Sequence, residues 1–188
     1  ARRGDLSAIR AALVALRADD DASASLFGKL ALTYDPDRGL HAGASPPPLA
    51  LDDAERTGVP IDLADFRGRV LVLHFWATWC QGCREGVAAL ERAYAEHRDR
   101  GLAIVSVSLD EDWATVQQFR ASTAPMRWIH ARTRGESSAE VEKRFEIVGS
   151  TKSVVIGRDG SIASDNLHPG EPEFERLLAR LLAAKGPT

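Results

Sequence analysis

The residues best suited to chemistry are Cys80 and Cys83, the only 2 cysteines in a chain of 188 residues. They enclose Gln81 and Gly82 and follow Trp79. If a helix begins here, the first cysteine falls at its N-terminus, where unpaired N–H groups and the helix dipole favour a thiolate. The second lies one turn further on, close enough to attack a mixed disulfide. The spacing therefore predicts Cys80 as nucleophile and Cys83 as resolving thiol, with Cys80 partly exposed and Cys83 more buried.

Other interpretations of the pair stay open. A zinc site would need two more ligands, and the sequence has no second C-x-x-C and no clustered histidine pair. A soft metal such as Cu(I) would accept two thiolates, with His74 as a conceivable further ligand. The cysteines could also be vestigial, in a redox-inactive interaction module. We expect a dithiol-disulfide enzyme with no cofactor and no bound metal, and keep the copper-binding protein and the inactive module as alternatives.

A strand and a helix are expected on either side of the pair. Residues 70–75 are apolar on successive positions and rich in branched side chains, which predicts a strand buried on both faces. The helix that opens at the cysteines then places Val87, Leu90 and Tyr94 inward. This strand, turn and helix would present the cysteines at one end of a sheet.

Downstream, strand and helix patterns alternate. Strands are predicted at 102–109, 128–131, 153–156 and 161–163, and helices around 113–119, from Ser137 to about Phe145, and from Pro172 onward. The Asp159-Gly160 dipeptide indicates a hairpin between the last two strands. The order predicts an α/β fold, with a mixed central β-sheet flanked by helices.

We expect three parts along the chain. Residues 1–42 would form a helical N-terminal extension, because Leu6, Ile9, Leu13 and Leu16 recur at helical spacing. Residues 43–48 (GASPPP) would be a Pro-rich linker. Residues 49–188 would be the main domain.

Composition excludes some functions. The formal net charge is -3, and no basic stripe interleaved with aromatic residues is present, so nucleic acid is not an expected partner. The longest apolar run, residues 70–77, is interrupted by His74 and is far shorter than the roughly 20 residues of a membrane span. Attachment to a membrane is expected only through an anchor outside this sequence.

The run from Gly68 to Glu85 (GRVLVLHFWATWCQGCRE) resembles the active-site stretch of thioredoxin-like proteins, in particular the TlpA-type extracytoplasmic thiol-disulfide oxidoreductases. The resemblance extends from about Pro46 to the C-terminal helix. It implies a thioredoxin fold and exchange with protein thiols or disulfides and with a redox partner protein. It also implies a bacterial protein that is periplasmic or membrane-tethered. Residues expected at the substrate-binding surface are Trp79, Gln81, Gly82, Ser150 and Thr151.

The sequence departs from that family at several positions around the site. Gly82 stands where proline usually precedes the second cysteine, and Gly86 where many TlpA-type proteins have a glutamate. Thr151 aligns with a cis-proline of the family. Because a non-proline cis bond costs about 2.5–4 kcal/mol, we predict a trans Ser150–Thr151 bond.

His74 lies six residues before Cys80, where thioredoxins keep a buried carboxylate. Two interpretations are open. His74 could relay a proton to Cys83, or it could be a core-facing polar residue with one satisfied hydrogen bond. The remaining histidines are scattered along the sequence and receive no predicted role; they are His41, His97, His130 and His168.

Overall fold

The computed structural model describes residues 11–12, 14–15, 38–56, 58–147, 151–165 and 167–184. Residues 11–12 and 14–15 are helical and exposed. The rest of the expected extension up to residue 37 lies outside the described residues, as do Leu6, Ile9, Leu13 and Leu16.

Seven strands of the described part form one mixed sheet in the order β2-β1-β5-β4-β3-β6-β7. Their bounds are β1 Leu51–Asp53, β2 Pro60–Ile61, β3 Val70–Trp76, β4 Leu102–Ser108, β5 Ile129–Thr133, β6 Lys152–Ile156 and β7 Ile162–Ser164.

The centre of the sheet is the parallel pair β3 and β4, in register from Val70 opposite Leu102 to Trp76 opposite Ser108. Every residue of β3 is buried. Apolar, branched side chains on both faces explain this position, because a strand covered on both sides reads as an unbroken apolar run. β6 and β7 continue the sheet in antiparallel fashion beside β3.

Four α-helices lie among the described residues: α1 Gln81–His97, α2 Trp113–Ser122, α3 Ser138–Arg144 and α4 Pro172–Ala183. They cover both faces of the sheet. Trp76 of β3 packs on Phe119 of α2, with ring centroids 5.3 Å apart. The neighbouring Phe75 points to the opposite face and meets Phe145 at the end of α3, at 4.7 Å.

The predicted α/β architecture is confirmed, with strand ends shifted by one or two residues. The predicted strand at 161–163 is observed at Ile162–Ser164, and that at 128–131 at Ile129–Thr133. Helix α3 begins with a capping box. The Ser137 side chain accepts from the Glu140 backbone N–H, and the Glu140 side chain accepts from the Ser137 backbone N–H. The short strand β1 was not predicted, because three residues carry too little periodicity.

The Pro-rich segment starts against the domain. Leu40 is buried in the core. Gly43 donates its N–H to the Ile162 carbonyl, and Ile162 donates to the Ala44 carbonyl, both at 2.8 Å. The chain therefore runs along β7 before it reaches the prolines. The division into extension, linker and domain remains a prediction.

Arg38 fastens this entry point with ion pairs. Its Nε lies 3.0 Å from Glu146 Oε2, and its Nη2 contacts the Asp165 carboxylate. Lys152 Nζ lies 3.6 Å from Asp165 Oδ2 and donates to the Glu146 carbonyl at 3.1 Å. Burial lowers the pKa of Lys152 to about 8, against the opposing charge of Glu146. The cluster joins the segment before the domain to the start of β6 and the end of β7.

Candidate active site

Cys80 and Cys83 form a disulfide at the start of α1, with their Cα atoms 5.3 Å apart. β3 ends at Trp76, the chain turns, and Cys80 is the N-cap of the helix. The Cys83 N–H donates to Cys80 Sγ at 3.1 Å. The first cysteine thus occupies the predicted helix terminus, where free N–H groups and the helix dipole favour negative charge on sulfur.

The two cysteines differ in accessibility less than expected. Cys83 is 1% exposed and Cys80 only 7% exposed, whereas partial exposure was expected for Cys80. The order is the predicted one, with Cys83 deeper. In the disulfide state the sulfur of Cys80 is turned towards the helix end, where it accepts the N–H of Cys83.

The expected substrate-binding surface is partly described. Trp79 is 68% exposed beside the disulfide, and Gln81 and Gly82 are also exposed. Thr151 is half-buried just before β6. Ser150 lies outside the described residues, and so does the Ser150–Thr151 bond. The binding roles of these five residues stay predictions.

Asp110 was not singled out from the sequence, yet its carboxylate holds the loop before the cysteines. The Thr78 N–H donates to Asp110 Oδ2 at 3.0 Å and the Thr78 hydroxyl donates to Oδ1 at 2.7 Å. The Ser108 hydroxyl donates to Oδ2 at 2.7 Å. The available signal was the order of strand, helix and strand along the chain, which is typical of adjacent parallel strands. The residues that follow two such strands meet at one edge of the sheet.

His74 is fully buried, and its Nδ1 lies 3.1 Å from Ser106 Oγ. Burial lowers its pKa to about 3, with smaller contributions from the charges of His130 and His168. At pH 7 the buried imidazole is therefore neutral. The geometry matches a core-facing residue with one hydrogen bond, and the role of His74 as a proton relay stays a prediction.

His74 belongs to a row of buried polar residues across four strands. In register, Ser153 of β6 lies opposite His74, His74 opposite Ser106 of β4, and Ser106 opposite His130 of β5. Ser106 also accepts the indole N–H of Trp128 at 2.8 Å. Buried polar atoms without a protein partner along this row are His74 Nε2, His130 Nδ1 and Ser153 Oγ.

The described residues offer no metal centre beyond the two sulfurs, because nowhere among them do three His, Cys, Asp or Glu side chains converge. The copper-binding alternative therefore gains no third ligand, His74 included. Among the same residues no helix combines the length and apolarity needed to cross a bilayer.

A family model described as thioredoxin-like matches residues 68–162. The thiol-disulfide oxidoreductase ResA of Bacillus thuringiensis subsp. konkukian is 26% identical over 138 residues, which is 73% of this chain and 75% of the relative.

Two solved structures have the same fold. A thiol:disulfide interchange protein from Bacteroides sp. superposes with a TM-score of 0.67 at 22% identity, covering 79% of this chain and 95% of that one. A thiol-disulfide oxidoreductase from Bacteroides fragilis gives a TM-score of 0.62 at 25% identity, covering 73% of this chain and 99% of that one.

Proposed function

The chain belongs to the thioredoxin-like family, and from that premise we propose that it is a thiol-disulfide oxidoreductase working through Cys80 and Cys83. The observation that carries the proposal is the disulfide itself, placed at the N-terminus of α1 directly after a central strand. Relatives that bear this activity in their names align with most of the chain.

The reaction moves two electrons between dithiol and disulfide. When the protein reduces a substrate, the Cys80 thiolate attacks one substrate sulfur, forms a mixed disulfide and expels the other sulfur as a thiolate. Cys83 then loses its proton and attacks the Cys80 sulfur. The Cys80–Cys83 bond forms, the second substrate thiolate leaves, and the substrate thiolates take up protons. The reverse sequence oxidises a substrate dithiol.

The site supplies two electrostatic aids to this exchange. The end of α1 presents unpaired N–H groups to Cys80, and the Cys83 N–H already points at its sulfur. Each favours the thiolate over the thiol, so a larger fraction of Cys80 is in the form that attacks a disulfide. Asp110 fixes the preceding turn through Thr78, so the sulfur keeps its position when the disulfide opens.

Protein thiols and disulfides are the proposed substrates, with Trp79 as the exposed apolar contact beside the disulfide. A bacterial extracytoplasmic location, a dedicated redox partner protein and a membrane anchor outside this sequence complete the proposal. Cell fractionation of the source organism tests the location. Recovery of the protein with the cytoplasmic fraction would contradict it.

The activity is tested by reduction of insulin disulfides with dithiothreitol as electron donor. The wild-type protein should accelerate insulin precipitation, and the C80S variant should not. Mixed with insulin after the dithiothreitol has been removed, reduced C83S should still attack through Cys80 and accumulate a mixed disulfide that is visible by mass spectrometry. An inactive wild-type protein whose Cys80–Cys83 bond does not open under dithiothreitol would favour the redox-inactive module instead.

A further inference from the structure

His168 fills a space left open by Gly86 on the buried face of α1. A Cβ added at residue 86 would lie 3.2 Å from His168 Cε1 and 3.4 Å from Nε2. Gly86 is buried, whereas His168 is half-buried and so partly exposed to solvent. The ring therefore stands where the side chain of residue 86 would otherwise begin.

The loop before α4 holds the ring in this place. The His168 N–H donates to Glu171 Oε2, and the Glu171 N–H donates to the His168 carbonyl, both at 3.1 Å. Pro169 approaches the same position of α1, 3.8 Å from the added Cβ. A Cβ at Gly170, which has φ 97°, would lie 3.4 Å from Ala89. The loop backbone is thus seated on α1.

Cys83 is the neighbour of Gly86 one turn earlier. Side chains three residues apart on a helix are adjacent, with Cβ atoms about 5–6 Å apart. The buried residues of α1 around Gly86 are Cys83, Val87, Ala89, Leu90 and Ala93. The imidazole lies over Gly86, one turn of α1 beyond the buried Cys83.

The ionisable groups near the His168 ring lie on β3, α1 and α4. On β3, His74 feels the charge of His168, yet its pKa of about 3 keeps it neutral. At the start of α4, the Glu171 carboxylate accepts the His168 backbone N–H. On α1, Cys83 lies one turn before Gly86 and becomes ionisable once the disulfide is reduced, and Glu85 is the exposed residue next to Gly86. An imidazole gains and loses protons near neutral pH.

We propose that His168 takes the proton of the Cys83 thiol in the resolving step. The neutral imidazole accepts that proton, the Cys83 thiolate attacks Cys80, and the imidazolium then gives the proton to the departing substrate thiolate or to water. No net proton stays on the protein. This inference rests on the proposed oxidoreductase activity and assigns a residue to its second step.

The probe is the aromatic disulfide 5,5′-dithiobis(2-nitrobenzoate), which reports each step separately. The reduced protein releases one thionitrobenzoate anion when Cys80 attacks and a second when Cys83 closes the ring disulfide. Stopped-flow absorbance gives both rates across a range of pH. H168Q keeps a polar side chain but removes the imidazole, and H41Q, on an exposed histidine, is the matched control.

In H168Q the second release should slow by roughly tenfold or more at about pH 6.5, as loss of general-base assistance implies. Above about pH 9.5 solvent ionises the thiol, and the rates should converge. The first release should stay within twofold of wild type, as should both steps in H41Q. A second release that is unchanged, or slowed equally at every pH, overturns the proposal.

G86A offers a second variant that keeps the histidine. Its methyl group enters the space of the ring and must displace it, so the second release should slow in the same pH range. If neither G86A nor H168Q changes the rate of the second release, the proposal is overturned. If one variant folds poorly, the other decides. If the wild-type protein releases no thionitrobenzoate at all, the proposed function fails rather than the role of His168.

Discussion

The carboxylate of Asp110 accepts both the backbone N–H and the hydroxyl of Thr78, at 3.0 and 2.7 Å. The two residues follow the adjacent parallel strands β4 and β3 and stand 32 positions apart in the chain. Thr78 precedes Cys80 by two residues. The turn that delivers the nucleophile is therefore tied to the neighbouring strand, and its geometry does not depend on α1 alone.

Replacing Asp110 by alanine should loosen this turn. Two donors on Thr78 and one on Ser108 lose their acceptor, which we expect to cost about 1–3 kcal/mol of unfolding free energy. Urea unfolding of the oxidised protein measures this. The rate of first thionitrobenzoate release should fall in the same variant. E111Q, at the exposed neighbouring position, should match wild type in both measurements.

A double-mutant cycle with T78V checks the assignment. If the two side chains act as one unit, D110A and T78V together should cost clearly less than the sum of the two single changes. Strict additivity would mean that the Thr78–Asp110 contact carries no coupling energy.

The Asp110 contact illustrates what sequence could and could not provide. Strand β3 and the cysteine pair were predictable, because an apolar branched run followed by C-x-x-C has a strong local signal. The partner of Thr78 depends on which strands are neighbours and on where β4 ends. Such a contact is set by tertiary structure, so residue spacing along the chain did not reveal it.

Gly82 and Gly86 provide a matched pair of substitutions in one helix. At Gly82 an added Cβ meets nothing within 4 Å, so G82A should stabilise the protein by roughly 0.4–1 kcal/mol, because alanine restricts the unfolded chain. At Gly86 the added Cβ meets the His168 ring. G86A should gain less, or destabilise the fold, by thermal unfolding.

Removing the imidazole of His168 should restore the stabilisation expected from alanine at residue 86. In an H168A background, G86A should stabilise the protein about as much as G82A does. An equal effect of G86A with and without His168 would show that the two residues do not touch. The histidine was left without a role in the sequence because its position depends on the loop before α4, some 80 residues beyond the helix start.

Trp79 should matter for polypeptide substrates and little for small ones. The side chain is 68% exposed next to Cys80, and loss of an aromatic contact of this kind typically costs about 1–2 kcal/mol of binding, roughly a five- to thirtyfold rise in KM. Insulin reduction by W79A should show that rise. The first thionitrobenzoate release should remain within twofold of wild type. Equal losses with both substrates would indicate a disturbed disulfide rather than a docking contact.

Acid should destabilise the fold through His74 and His130. Burial lowers their pKa values from 6.5 to about 3 and to about 4. Below about pH 6.5 both histidines become protonated in the unfolded chain but stay neutral in the folded protein. Their contribution to the free energy of unfolding is therefore fully present above that pH and declines on acidification. Each histidine adds a slope of up to about 1.4 kcal/mol per pH unit between pH 6.5 and its folded pKa.

Urea titrations between pH 8 and pH 4.5 measure this slope. H74L should be less stable than wild type at pH 8, because Ser106 loses a partner, yet its stability should decline less steeply with acidification. H41Q, on an exposed histidine, should leave the slope unchanged. An identical slope in H74L and wild type would mean that His74 does not stay neutral in the folded protein.

Arg38 has a mechanical consequence. Its guanidinium is paired with Glu146 and Asp165, which belong to the segments just before β6 and just after β7. A force applied to the chain ahead of Arg38 is therefore received at that edge of the sheet. Strand β3, which carries Cys80, is shielded from it by β6. Pulling on the chain from its N-terminal side would stress the Arg38 ion pairs first and leave the positions of Cys80 and Cys83 unchanged.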